Sequence, residues 1–219
     1  MKTWGKGSIL SLFLIFSAGS SQAALLSRLE GQAVYDTDLD VTWVSIANLA
    51  SFDDLGVSGI TGGTMDFYSA YLWLQALNDL DYLGFSDWRL PRAANRDGSG
   101  FCEGSFCPDS EMGHLFHVES ISTLNQSPFQ FVSKRGYWYE DRPAFDFFRR
   151  WTFDFVSGNQ TGEFTSCLFS CSPPKHAVWA VRDGDVSPVP LPPAVLLFTS
   201  ALISLVAVAR KGGDPRQSA

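Results

Sequence analysis

Basic residues are few in this sequence, where 16 lysines and arginines stand against 23 aspartates and glutamates and the net charge is −7. An acidic surface repels nucleic acids and anionic lipid headgroups, so we exclude both classes of partner. It is compatible with divalent cations and with neutral sugars. The aromatic content of 14% argues against disorder, and the length is sufficient for one domain with a substantial core.

Histidine is scarcer still, with three residues in the chain. Because no catalytic motif can be recognised around them, we predict a non-enzymatic protein with no catalytic residue and no cofactor. We predict no metal site. The residues that could form one are Glu111, His114 and His117, because their spacing of three would place them on one helix face. The alternative is a polar helix face with one half-buried histidine.

Cysteine is limited to four residues in two local pairs, Cys102 with Cys107 and Cys167 with Cys171. Behind a signal peptide, in an oxidising compartment, such pairs are typical of short-loop disulfides, and we predict one within each pair. Short closed loops remove little chain entropy, so these bonds would fix loops rather than stabilise the core. The alternative is a zinc site that uses all four thiolates.

Both ends of the sequence carry apolar runs. Residues 1–23 have the basic start and short apolar core of a secretory signal peptide, with small residues, Ser21 and Ala23, at the −3 and −1 positions of a cleavage site after Ala23. Residues 191–209 carry no charge, and a helix over them would be about 28 Å long, close to the hydrocarbon thickness of a bilayer. We therefore predict export across the inner membrane and a C-terminal transmembrane helix. The alternatives are an uncleaved N-terminal anchor and a buried C-terminal core helix.

The flanks of the C-terminal run resemble a bacterial sorting signal. The motif at the start of the run consists of Val189, Pro190, Leu191, Pro192 and Pro193 and overlaps its first residues. The basic residues Arg210 and Lys211 follow the run and would stop its transfer across the membrane. This arrangement resembles the VPLPA variant of the PEP-CTERM signals. The resemblance implies an exosortase, an envelope protease, as a partner, and a protein that is membrane-anchored or released to the cell surface or matrix.

The chain is thus divided into a signal peptide (1–23), a domain (24–186), a Pro-rich linker with the sorting motif (187–193), a transmembrane helix (191–209) and a basic cytoplasmic tail (210–219). In the domain, residues 34–36 and 41–43 are predicted strands around a turn. The aspartates at 36, 38 and 40 are interpreted as turn residues; the alternative, a calcium loop, lacks the glycine and glutamate of an EF-hand.

Two helices and three later strands are predicted from spacing and caps. Asp66 would cap a helix that begins at Phe67 and ends by Gly84, and Ser110 would cap a short helix that begins at Glu111. Residues 137–139, 150–156 and 177–182 are the predicted strands, and the second alternates aromatic with polar residues.

This order of elements resembles the Lcl-type C-terminal domain family of secreted bacterial domains. The sequences that carry the resemblance best are DWRLP at 87–91 and WAVR at 179–182. The resemblance implies a single α+β domain with a C-type-lectin-like fold, related to formylglycine-generating enzymes, in which the chain termini meet in one sheet. It also implies structural roles for Trp88, Arg89 and Arg182.

Two functions compete at this point. The first is a non-enzymatic envelope or matrix protein that binds glycan or exopolysaccharide through the loops predicted at 92–109 and 157–175. The second is a redox or other enzyme that uses Cys167 and Cys171, whose position before the last strand is similar to that of the redox cysteines of formylglycine-generating enzymes. The first is our prediction, although the calcium-lectin signatures Glu-Pro-Asn and Trp-Asn-Asp do not occur in the sequence.

Overall fold

Two β-sheets and two α-helices form the fold in the computed structural model, which describes residues 25–143, 146, 148–165 and 172–186. This architecture confirms the predicted α+β class. The signal peptide, the sorting motif, the transmembrane helix and the tail lie outside the described residues. Within the described part of the chain, no helix is both long and apolar enough to cross a membrane.

The strands, in chain order, are β1 (Leu25–Arg28), β2 (Ala33–Asp36), β3 (Val41–Val44), β4 (Thr64–Met65), β5 (Tyr137–Trp138), β6 (Arg149–Asp154), β7 (Asn159–Phe164), β8 (His176–Ala177) and β9 (Val181–Asp183). The first sheet has the order β1-β2-β3-β9 and is antiparallel throughout. The first and last strands described therefore lie in one sheet. The predicted strands at 34–36 and 41–43 are confirmed as the hairpin of β2 and β3.

The second sheet has the order β4-β8-β5-β6-β7, with β5 and β8 parallel and the other pairs antiparallel. The prediction of a single strand at 177–182 is wrong, because β8 belongs to this sheet and β9 to the other. Trp179 lies between them, and its indole Nε1 donates to the carbonyl of Val44, 2.8 Å away. A buried apolar run thus links two sheets instead of forming one long strand.

The predicted loop at 157–175 is also partly wrong, because residues 159–164 form β7 and pair with β6 along its length. Their sequence, NQTGEF, is mostly polar and has little strand propensity. The strand predicted at 150–156 is observed as β6, and the predicted aromatic face, with Trp151, Phe153 and the following Phe155, is buried. The opposite face is not uniformly exposed, because Thr152 is buried as well. The regular partner strand, rather than local propensity, holds β7 in place.

The first helix, α1 (Phe67–Asp79), begins at the predicted residue. The carboxylate of its N-cap, Asp66, accepts a hydrogen bond from the backbone N–H of Ser69 at 2.8 Å. Trp73, Leu74 and Leu77 on its inner face are buried. They pack in one cluster with Trp88, Leu90 and Trp138, so the helix covers one face of the second sheet.

The second helix, α2 (Glu111–His117), is capped by Ser110 as predicted, and the Ser110 hydroxyl accepts from the N–H of Gly113. A Cβ atom at Gly113 would lie 1.8 Å from the carbonyl oxygen of Cys107. Glycine is therefore required where the helix packs against the preceding loop. Met112 and Leu115 point into the main core, which also contains Trp43, Tyr137, Phe153 and Trp179.

Candidate functional site

Trp88, Arg89 and Arg182 all make structural contacts. The Trp88 side chain is buried, and its Nε1 donates to the carbonyl of Tyr82. Arg182 forms a two-bond ion pair with Asp87. Arg89 contacts both carboxylate oxygens of Glu111, at 2.9 and 2.7 Å, and also Asp183.

The buried Arg89–Glu111 pair links three parts of the chain. Glu111 also accepts from the backbone N–H of Arg92, so it holds the segment that follows Pro91. Burial alone lowers the pKa of Arg89, but its bonds to Glu111 and Asp183 raise that pKa above the ordinary value. Arg89 therefore stays charged, and the pair joins α2 to the end of β9.

The three residues proposed from sequence as metal candidates are not brought together. Glu111 is held by Arg89, as described above. His117 lies between two aromatic rings, with Phe106 at 5.1 Å and Phe116 at 4.9 Å from its ring centre. His114 points instead towards the end of β2. The spacing of three residues therefore does not create a shared ligand face on this short helix.

His114 meets a different pair of carboxylates. Its Nε2 lies 3.8 Å from Oδ2 of Asp36, at the end of β2, and 3.7 Å from Oε1 of Glu119, just after α2. The three potential ligand atoms lie within 4.8 Å of one another. Oδ2 of Asp38 lies 4.0 Å from the same nitrogen. We call Asp36, His114 and Glu119 the carboxylate–histidine cluster.

Burial dominates the electrostatics of this cluster. It raises the pKa of Asp36, against the hydrogen bonds from Leu39 and Asp38 and the proximity of His114. Burial also raises the pKa of Glu119, and the neighbouring Asp36 and Asp38 raise it further. Burial lowers the pKa of His114 despite the nearby aspartates, so its imidazole is neutral at pH 7.

Cys102 and Cys107 form one of the two predicted disulfides, with their Cα atoms 5.5 Å apart. The bond occupies both sulfurs, which excludes them from the alternative four-thiolate zinc site. Cys167 and Cys171 lie outside the described residues. The predicted loop at 92–109 is attached to β7 by Gln160, whose side-chain amide donates hydrogen bonds to the carbonyls of Ala93 and Cys102.

A shallow cleft of about 560 Å³ opens on another face of the domain. It is lined by Asn48, Ser51, Gln126, Phe129, Gln130, Phe131 and Val132. Oδ1 of Asn48 is buried and has no hydrogen-bond partner among the described residues. The Gln126 amide is already used, because it accepts from Val132 and donates to Thr123. Gln130 is exposed at the surface of the cleft.

Two exposed aromatic rings, Phe52 and Phe131, lie edge to face beside this cleft, with their centres 4.7 Å apart. They are 60% and 52% exposed, respectively. Phe131 has a φ of 57°, a left-handed conformation that a bulky residue rarely adopts. The neighbouring Gln130 is fixed by backbone bonds to Ser45 and Ala47. The fold thus holds an apolar ring in solvent at the cost of backbone strain.

No sequence motif pointed to this cleft, because its residues come from two separate segments of the chain. The carboxylate–histidine cluster had two partial signals, the spaced aspartates at 36 and 38 and the helix residue His114. Nothing in the sequence indicated that these aspartates and His114 lie close together, and no motif included Glu119. Only the packing of α2 against the β2–β3 hairpin joins them.

Comparison with known proteins adds no relative. No family model matches the chain, and neither the curated proteins nor the solved structures contain a significant match.

Proposed function

We propose that the chain is an exported envelope or extracellular-matrix protein whose domain is a non-enzymatic binding module for neutral exopolysaccharide. The signal peptide at 1–23 and the sorting motif at 189–193 support export, processing by an exosortase and membrane attachment through residues 191–209. The net charge of −7 favours a neutral over an anionic polymer.

The proposal includes a C-type-lectin-like fold of the Lcl type. Two features of the domain support it. β1 and β9 lie in the same sheet, as the resemblance implies for the chain termini. Arg89 bridges to Val181 at the edge of that sheet, and the chain then leaves through Leu90 and Pro91.

The observation that carries the proposed activity is the exposed pair Phe52 and Phe131 beside an amide-lined cleft. The electron-rich face of an aromatic ring attracts the polarised C–H groups of a sugar ring. Amide groups such as that of Gln130 both donate to and accept from sugar hydroxyls. A strained, exposed phenylalanine has no role in the core, so binding is the function that best explains it.

The Phe131→Ala variant should bind neutral polysaccharide about tenfold more weakly than the wild type, which corresponds to ~1.4 kcal/mol. The reason is loss of the stacking ring, while the backbone at 131 remains in its left-handed conformation. Binding is measured by retardation in native gels cast with dextran, xylan or hydroxyethyl cellulose.

Phe148→Ala is the matched control, because Phe148 is 60% exposed and lies outside the cleft lining and outside the two segments predicted from the sequence to bind glycan. It should bind like the wild type, and Phe131→Trp should retain most binding. If the wild type is retarded by none of the three polymers, or if both alanine variants bind equally, the cleft is not a site for these polysaccharides.

Processing is tested by the mass of the mature protein in membrane and culture-medium fractions of its host. We expect a released species that lacks residues 1–23 and the segment after about residue 190, because an exosortase would cut near the sorting motif. A protein recovered only in the membrane fraction, with residues 191–219 still attached, would contradict the processing step and indicate a permanent anchor.

A further inference from the structure

The carboxylate–histidine cluster contains three buried polar atoms that have no hydrogen-bond partner among the described residues: Oδ2 of Asp36, Nε2 of His114 and Oε1 of Glu119. Asp36 is 0% exposed and His114 is 6% exposed. Buried polar groups are normally satisfied, and an unsatisfied one is costly. Here three such atoms face one another, which indicates a missing partner common to all three.

A proton shared between the groups does not account for this geometry. Nε2 of His114 is 3.8 Å from Asp36 and 3.7 Å from Glu119, and both distances exceed those of a hydrogen bond. Distances of this size are expected when a central ion separates the ligands. If the angle at the ion is near tetrahedral, they correspond to ion–ligand distances of about 2.3 Å, slightly longer than those of bound Zn²⁺.

The cluster is also oriented as a metal site is. Oδ1 of Asp36 accepts from the backbone N–H groups of Asp38 and Leu39 at 3.0 and 3.1 Å. These bonds fix the carboxylate and leave Oδ2 directed towards His114, as outer hydrogen bonds do for metal ligands. Asp36 therefore stabilises the turn as predicted, but only through Oδ1, whereas Oδ2 takes no part in the turn.

We propose that Asp36, His114 and Glu119 bind one divalent transition-metal cation of the Zn²⁺ or Mn²⁺ type, with the carboxylate of Asp38 as a fourth ligand. Imidazole together with carboxylates favours these ions over Ca²⁺ and Mg²⁺, which prefer oxygen alone. Asp38 is close enough to join, with Oδ2 at 4.0 Å from Nε2 of His114. The ion would connect the β2–β3 hairpin to the end of α2.

The charge of the site agrees with this assignment. The site offers one imidazole nitrogen and the oxygens of acidic side chains, which bind a cation in their neutral and ionised forms, respectively. The buried carboxylates of Asp36 and Glu119 both face Nε2 of His114, and a cation between them would offset the cost of burying two negative charges side by side. Arg96, the nearby cation, donates instead to the backbone carbonyl of Asp38 at 2.7 Å.

The test uses the full chain, stripped with EDTA and dialysed, and titrated by calorimetry with ZnCl₂, MnCl₂, CaCl₂ or MgCl₂ in separate experiments. The wild type should bind one equivalent of Zn²⁺ or Mn²⁺ and melt at a higher temperature with the ion present. Asp36→Asn and Glu119→Gln, which keep the shape but remove the charge, should each weaken binding at least tenfold. His114→Gln should weaken it similarly.

Two matched controls lie next to the ligands. His117→Gln changes the other histidine of α2, and Asp40→Asn changes an aspartate of the same turn whose carboxylate accepts from the hydroxyl of Tyr35. Both should bind the ion like the wild type. Unchanged Zn²⁺ binding in Asp36→Asn and Glu119→Gln would overturn the site, and Ca²⁺ binding that survives His114→Gln would overturn the metal class.

A spectrum of the wild type loaded with Co²⁺ tests the class of ligand independently of the variants. Nitrogen and oxygen ligands should give weak visible bands with no thiolate-to-cobalt charge-transfer band. A strong charge-transfer band would place the ion on cysteine and refute the proposal, as would the absence of any bound ion. Polysaccharide binding is measured in a different experiment, by gel retardation, so the metal site can be refuted without refuting the binding of polysaccharide, and the reverse.

Discussion

Trp179→Ala should reduce the free energy of unfolding by about 3–5 kcal/mol, the usual cost of truncating a buried large aromatic residue. Trp179 is 0% exposed and lies where the two sheets meet. Its ring is surrounded by Trp43, Phe129 and Phe155, with centres 5.2, 4.8 and 5.4 Å away. Neighbours anchored in different elements cannot all move inwards to fill the space.

A second loss adds to the cavity. Without the indole N–H, the carbonyl of Val44 loses its 2.8 Å hydrogen bond in a buried region. Single domains have total stabilities of about 5–15 kcal/mol, so the variant should be close to unfolding at room temperature. Urea unfolding followed by far-UV circular dichroism measures the loss and does not depend on the removed fluorophore.

Tyr68→Ala is the matched control. Tyr68 is a large aromatic residue of α1 that is 70% exposed, so its removal should change stability by no more than about 0.5 kcal/mol. Trp179→Phe should lie between the two, because it fills most of the volume but lacks the donor. Equal stabilities of Trp179→Ala and Tyr68→Ala would contradict the central position of Trp179 in the core.

Arg89→Met should also reduce the free energy of unfolding by about 3–5 kcal/mol, measured in the same urea experiment. The change leaves the carboxylate of Glu111 with no cation in direct contact among the described residues, and the side chain of Glu111 is only 8% exposed. An uncompensated buried charge costs more than the original ion pair contributed. The change removes the link between α2 and the end of β9, whereas the bonds between Glu111 and the backbone of Arg92 remain.

The double variant Arg89→Met with Glu111→Gln separates the ion pair from simple packing. Removal of the second charge should recover a large part of the lost stability, because no unpaired charge then remains. Arg28→Met is the control, since its ion pair with Asp185 is more exposed, at 19% and 28%, and should contribute less than about 1 kcal/mol. Methionine keeps most of the aliphatic volume of arginine, so no recovery in the double variant would assign the loss to the other contacts of Arg89, with Asp183 and the carbonyl of Leu90.

Local signals in the sequence predicted the elements that local forces stabilise. The caps Asp66 and Ser110 begin α1 and α2 because their side chains satisfy the first free N–H groups of each helix. The alternation of 150–156 predicted β6 because one face must be apolar. By contrast, the polar strand β7 depends on pairing with the preceding strand β6, and the division between β8 and β9 depends on partners distant in the chain. Both predictions failed there because strand pairing, not local propensity, decides these elements.

The candidate sites show the same division more sharply. The acidic charge, the helix starts, the aromatic face of β6 and the cysteine pair at 102 and 107 could be predicted from local sequence, and the α+β class followed from the family resemblance. That Glu111 binds Arg89, that His114 faces Asp36 and Glu119, and that Phe52 contacts Phe131 became evident only in the folded chain. Backbone geometry and solvation act over a few residues, whereas these contacts join residues separated by up to about 80 positions. Strand pairing and core packing bring such residues together, and no local pattern encodes that.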